Sequence, residues 1–407
     1  MKIVLFIVTV IIAFQLKCQT FFPTNYDTLI HKREWNISGF GDLGTTSINN
    51  ALFSKLLVGG SIDSILKTEN LESHGPVNRI GLALQTEFNY INYRQKKTER
   101  KVGFILKTGI YGVGTAVYSK DLFGVLFEGN QNYLGKTIDF SGSKFDFMSF
   151  QKLGIGLIHK KTKSYLTLNA YAINSYVKGG FQNGQINQTS NGDSLSVLLS
   201  GDVTYTSFNS LFNGFGIGID GEYNLPFLIN QNRLAILQIS VKNIGIGFLT
   251  NPVENYNMRF GKAYNGLTFQ QIFDLNSGYN QTALLDSLGI QKTSLENQMV
   301  VMPGFIQIGK IATNLTERKL QSIFGIRMMI VSGYSPLVYA GLNYKLNNFF
   351  QFGGVASYGG FSNFRASAFG MLQFKRLAFK IASENVLGVL SSRGMGQAYS
   401  FSINYSL

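Results

Sequence analysis

A chain that works by covalent or metal chemistry must bring nucleophiles, bases or ligands together, and the residue types for that are sparse here. The three histidines are His31, His74 and His159. None stands in a His-Glu-x-x-His pair, which would set two ring nitrogens on one helical face. His159 lies beside Lys160, Lys161 and Lys163, the composition of a solvated turn. No Gly-x-Ser-x-Gly elbow surrounds a serine at a strand end, and no acidic or histidine cluster has metal-ligand spacing. Cys18, the one cysteine, precludes a disulfide within the chain. Gly39-Phe40-Gly41-Asp42-Leu43-Gly44 formally matches a dinucleotide fingerprint, yet no amphipathic helix follows it, so the match is chance. The expectation is a protein that is not an enzyme and uses no cofactor.

The elements that hold these residues are strands. From Leu337 to Leu407 the chain reads in steps of two: Val338, Ala340, Leu342 and Tyr344, a turn at Asn347-Asn348, then Phe350 and Phe352. The alternation resumes at Phe364 and again at Leu377. The last segment puts Tyr399, Phe401, Ile403, Tyr405 and Leu407 on one face and Ser400, Ser402, Asn404 and Ser406 on the other. In water such a terminal strand is an aggregation edge; in a closed barrel it pairs with the first strand, here Trp35 to Leu43, and turns its apolar face to lipid. At the other end, the uncharged run Ile3 to Phe14 is too short to span a bilayer and has the layout of a secretory signal, with cleavage near Cys18 or Gln19. No later run is long enough for a transmembrane helix.

The fold class expected is all-β: a transmembrane antiparallel barrel of roughly 14–16 strands with short helical inserts. Residues 1–19 form the signal and 20–407 the barrel. Other strand candidates include Phe147 to Ile158, Tyr165 to Val177, Leu195 to Phe208, Phe212 to Asn224 and Leu234 to Phe248. Counted this way the strands do not alternate consistently, because Pro336 and Asn347-Asn348 fall on opposite sides from those the C-terminus requires. Helical spacing suggests a plug at residues 48–71. A second insert spans residues 251–298, with helical patterns at Leu267 to Leu275 and Thr282 to Gly289. Composition fits a barrel, with 45 Gly, 34 Phe, 20 Tyr and 14% charged residues, although a secreted β-sandwich shares it.

The net charge of +14 collects in turns such as His159 to Lys163, without a nucleic-acid fold signature. Those turns are solvated and meet anionic lipid head groups. Asp121, Glu128, Asp139 and Asp146 make the densest acidic stretch, and Asp42 and Asp220 sit among glycines. A carboxylate facing a lumen can select solutes, but more often it caps a turn or pairs with a lumen Arg or Lys. The candidate pore and plug residues are Asp121, Glu128, Asn130 and Asp220, with Asn130 beside Gly129 suited to turn chemistry.

Asp121-Leu122-Phe123 followed by Phe127-Glu128-Gly129-Asn130, together with Leu153-Gly154-Ile155-Gly156-Leu157 and Gly214-Phe215-Gly216-Ile217-Gly218-Ile219-Asp220, resembles an uncharacterised family of outer-membrane barrels from Bacteroidota. That family is similar to FadL-like and PorV-like barrels. The resemblance implies the cell outer membrane of a Gram-negative cell and a setting in its lipid. It further implies either a FadL-like channel for a small apolar or amphipathic solute, or a non-catalytic scaffold holding protein partners of a type IX secretion or gliding apparatus.

Overall fold

The computed structural model describes residues 32–93, 101–207, 210–230, 233–264, 290–313 and 318–407. The period-two segments become strands β1 (Arg33–Thr45), β2 (Val77–Asn92), β3 (Val102–Ser119), β4 (Thr137–Asp139), β5 (Lys144–His159), β6 (Tyr165–Gln188) and β7 (Leu195–Tyr205). They continue as β8 (Gly214–Asn230), β9 (Arg233–Leu249), β10 (Val253–Tyr264), β11 (Ile290–Leu295), β12 (Gln298–Val301) and β13 (Phe305–Ile311). The last are β14 (Leu320–Met329), β15 (Ser335–Lys345), β16 (Phe350–Gly360), β17 (Phe364–Gln373), β18 (Leu377–Ser383) and β19 (Gln397–Ser406).

Fourteen of these close an antiparallel barrel. Around the wall the order is β1, β2, β3, β5, β6, β8, β9, then β13 through β19 and back to β1. The closing pair sets Trp35 against Tyr405 and Ser38 against Ser402, so the first and last strands satisfy each other's edges. The wall is inside out by the standards of a water-soluble protein. Leu157, Leu168, Ile217, Val338 and Ile381 are each at least half exposed on the outer face, while Lys152, Asn169, Asp220, Ser400 and Ser402 are buried within. Bulky apolar side chains outside and polar ones inside are the arrangement that lipid, not water, stabilises.

The inconsistent alternation traces to Leu195 to Phe208. That segment alternates like the others, but β7 pairs with the distal half of β6 and with β10, not with its neighbours in the wall. With β4 on the other side of β6 and β11 beyond β10, it belongs to a side sheet that stands off the barrel. Once β7 is removed, Pro336 lies at the end of the barrel far from the chain termini and Asn347-Asn348 at the terminus end, as the C-terminus requires. In residues 251–298 the described parts are β10 and β11 and so are extended, not helical. The helical patterns at Leu267 to Leu275 and Thr282 to Gly289 lie outside the described residues.

The long loops gather at the far end. Between β1 and β2 run helices α1 (Asn50–Val58) and α2 (Ser64–Ser73); α3 (Lys120–Glu128) follows β3. Each begins on a side-chain cap, with Asn49, Asp63 and Ser119 accepting the N–H of Leu52, Leu66 and Leu122. Leu52, Leu66 and Phe123 pack together with Ile48, and the Asn50 and Ala51 N–H groups donate to Gly394 and Ser392 in the β18–β19 loop. The helices predicted at residues 48–71 therefore form, and they sit on the far rim. Two further loops fold inward. Ser332, between β14 and β15, meets Thr115 on β3 across the barrel at 3.0 Å. Phe361, between β16 and β17, fills a niche left by Gly44 and Gly81: a side chain at Gly81 would collide with its ring, and one at Gly44 with its Cβ and the Arg365 guanidinium.

Closure in this register has a direct consequence. With Ser38→Cys and Ser402→Cys introduced together, oxidation should form a disulfide that keeps the first and last strands joined in a heated detergent gel. Ser38→Cys with Ala398→Cys should stay uncrosslinked; the reverse pattern rules out the register.

Candidate functional site in the lumen

Four strands place a charged residue at the same inward parity: Glu87 on β2, Lys107 on β3, Lys152 on β5 and Asp220 on β8. Long charged chains would crowd one another if they stood side by side. Glycines separate them: Gly109 lies opposite both Glu87 and Lys152, and Gly154 lies opposite Lys107. The Tyr111 ring lies over Gly109 and the Asn169 amide over Gly154, and the four charged side chains converge beside them.

The contacts form one connected cluster. The Lys107 ammonium lies 2.9 Å from Asp220 and 3.4 Å from Glu87, and that of Lys152 lies 2.6 Å from Asp220 and 3.3 Å from Glu87. The remaining oxygens are also served. Tyr111 donates to Glu87 at 2.6 Å, Asn169 to Asp220 at 2.7 Å, and the Asn243 backbone N–H to Asp220 at 2.8 Å. The last bond depends on a bulge in β9: Ile219 pairs with Ile244 but Gly221 with Val241, so Lys242 and Asn243 together face Asp220. Asn243 adopts φ +52°, and both side chains turn inward and are buried. Asn243 Oδ1 in turn accepts from Lys152 at 3.1 Å.

Each charge here is at most 3% exposed. Burial costs several kcal/mol per ion, and only mutual pairing offsets it, so the cluster tolerates balanced removal far better than loss of one member. Around it the lumen is packed with apolar groups. On one side Phe150 stacks on Tyr111 at 4.9 Å and meets the edge of Tyr171 at 5.4 Å, beside Met148, Ile173 and Met302. On the other, Phe40, Val113, Phe305, Tyr339, Val355, Phe361 and Phe369 join across the barrel. Two more buried pairs tie the far end: Arg365 to Asp42 at 2.9 Å, and Arg327 to Glu384 at 3.0 Å. Fourteen strands enclose more volume than small side chains fill, and these large ones with the two infolded loops take up the excess.

The four candidate residues separate. Asp220 is fully buried at the centre of the charge cluster, and Asp42 likewise pairs with a lumen arginine. Asp121, in the first turn of α3, accepts the Asp139 N–H at 3.1 Å, and Glu128 at its end accepts from Asn132 at 3.0 Å. Gly129 has φ +81° and Asn130 an ordinary helical φ, so the glycine alone supplies the left-handed turn. Those three residues belong to the rim and not to the lumen cluster. Sequence reading missed Glu87, Lys107, Lys152, Arg327, Arg365 and Glu384. The available signal was a lone charge on the polar-parity face of a wall strand. His74, which ends α2, is also a rim residue: its ring stacks on Phe123 at 4.0 Å, and burial, reinforced by Lys120, holds its pKa below the usual histidine value against the opposing pull of its bond to the Asn70 carbonyl.

No family model matches the chain, and no curated protein does. Among solved structures, a TodX deltaS2S3 mutant monoaromatic hydrocarbon channel is similar at 10% identity over 92% of this chain and 90% of that one, with a TM-score of 0.41. The Pseudomonas putida toluene transporter TodX is similar at 10% identity over 92% and 87%, with a TM-score of 0.37. The translocator domain of autotransporter NalP from Neisseria meningitidis reaches 10% identity over 94% and 91%, with a TM-score of 0.31. Values this low describe a general likeness between barrels and assign nothing to particular residues.

The charge balance makes a sharp contrast. Asp220→Asn leaves the ammoniums of Lys107, Lys152 and the neighbouring Lys242 with Glu87 as the remaining carboxylate of the cluster and should lower the unfolding free energy by about 3–5 kcal/mol. Adding Lys107→Met should recover much of that loss, while Asp121→Asn at the rim should stay within about 0.5 kcal/mol. Urea titration of the refolded barrel reads all three, and equal losses for Asp220→Asn and Asp121→Asn contradict the assignment.

Proposed function

We propose that the protein is an outer-membrane channel for a small apolar or amphipathic solute, seen here closed. The observation that carries this reading is the character of the lumen. A barrel that passes polar solutes through water keeps a polar, water-filled interior; this one packs Phe, Tyr, Met, Val and Ile from many strands between its buried charges and amides. An apolar solute replaces such contacts at little cost, whereas water and ions do not. The buried charges are the second support, since ionisable groups in a membrane-spanning interior are expensive and tend to mark a transport path. Because Glu87 and Asp220 are each shared among the buried ammoniums of Lys107, Lys152 and the neighbouring Lys242, the cluster can re-pair around a passing solute. Phe361 and the loop carrying Ser332 close the far end, and their withdrawal opens the lumen to the side from which the long loops project. Long loops face outward and short turns face the periplasm in outer-membrane barrels, so the solute enters over the rim helices.

A scaffold that holds partners draws on a different observation, the side sheet from β4 to β11, together with the packed lumen. No feature of the described residues ties it to a type IX secretion or gliding apparatus.

Uptake decides between them. Cells expressing the protein should accumulate a radiolabelled small aromatic solute faster than empty-vector cells, and Phe361→Ala should increase the rate several-fold while a small sugar remains excluded. If neither form exceeds the vector control while both are folded in the outer membrane, the channel reading fails. Stable co-purification of another membrane protein would then favour the scaffold.

A further inference from the structure

The terminus end of the barrel is strongly basic. Its turns and strand ends carry Lys32-Arg33, Lys160-Lys161, Arg318-Lys319 and Lys375-Arg376, against the acids Glu34 and Glu222 among the described residues. The far loops do not share this bias: around α1 and α2, Lys55 and Lys67 face Asp63, Glu69 and Glu72. The positive charge therefore forms a ring at one membrane interface.

At one place on that ring the outer wall is also hollow. Gly221 points outward where its neighbours are large, and the gap widens into a groove of about 540 Å³ lined mainly by Val102, Leu157, Leu166, Ile219 and Tyr223, with Glu222 the one acid on its wall. Most of these side chains are well exposed on the lipid-facing wall. The groove runs up to the β5–β6 turn, where the Lys160 N–H donates to the Lys101 carbonyl at 2.9 Å and brings two basic residues to its mouth, with Lys161 next in the chain. His159 lines the groove as well.

We infer that this groove is a specific site for one anionic phospholipid, with an acyl chain in the hollow beside Gly221 and the phosphate held by Lys101, Lys160 and Lys161. An apolar slot on the wall of a membrane protein is filled by hydrocarbon, and basic residues at the interface select a negative head group. Neither feature alone requires a bound lipid; their coincidence at one turn does. The site is separate from the lumen and does not depend on what passes through it.

The test uses full-length protein in mixed micelles and counts retained lipid by native mass spectrometry, offering phosphatidylglycerol or phosphatidylcholine. Wild type should retain phosphatidylglycerol at least about tenfold better. Two variants should each remove the preference: Lys101→Gln/Lys160→Gln/Lys161→Gln at the mouth, and Gly221→Leu in the hollow. A side chain at Gly221 meets only ordinary contacts, so folding is preserved; a heat-modifiable band confirms it. Lys345→Gln/Lys375→Gln/Arg376→Gln, across the barrel, should keep the preference. Equal retention of the two lipids overturns the site, as does equal loss from the distant triple variant, which would mean diffuse charge. Displacement by glycerol phosphate as readily as by lipid overturns the acyl half of the proposal.

Discussion

Hydrocarbon offers no partner to a backbone N–H or C=O, and every feature of this fold follows from that. A strand edge left open in lipid costs several kcal/mol per unsatisfied group, so the sheet has to close on itself. The closing pair here joins β1 to β19, residues far apart in sequence, and runs through ten matched positions from Glu34 to Leu43. Closure then fixes the side chains: once one strand has its apolar face toward lipid, each neighbour inherits the same parity, and most of the polar side chains on those strands are turned inward.

What is driven inward must be made compatible with a dry interior. Gly109 and Gly154 leave room for the Tyr111 ring and the Asn169 amide, the β9 bulge swings Lys242 and Asn243 toward Asp220, and the two carboxylates are shared among the buried ammoniums. Apolar packing on both sides, together with Phe361 and Ser332 at the far end, completes the fill. The outer surface obeys the opposite rule, with apolar residues on the wall and a basic ring where the wall meets head groups at the terminus end. One chain thus carries a core of paired charges and a charge-biased rim, serving different tasks.

Much of the wall was legible in sequence because a strand's period of two survives whatever lies beside it. The terminal strand from Tyr399 to Leu407 and the stripe from Val338 to Tyr344 have the facing that their spacing indicated. The failure at Leu195 to Phe208 has the same origin: alternation marks a strand with two different faces but not which strand it pairs with, so a side-sheet strand looks like a wall strand. Asp220 could be found because glycines around a carboxylate in a strand are unusual. Its partners could not, since Lys107 and Lys152 lie 113 and 68 residues away and meet it only after closure. The acidic density at Asp121 and Glu128 has a local setting. It belongs to a capped helix on the rim, where carboxylates serve the helix and its loop.

The claim on which all of this rests is that the outer face of the wall lies in lipid, and the single tryptophan is placed to test it. Trp35 points outward from β1, 40% exposed, with Tyr90 at 4.6 Å and Phe88 at 5.6 Å beside it. In the refolded protein its emission should be blue-shifted, strongly quenched by lipids brominated on their acyl chains and little affected by aqueous iodide. Red-shifted emission that iodide quenches and brominated lipid does not would mean that this face meets water, and the membrane barrel would have to be abandoned.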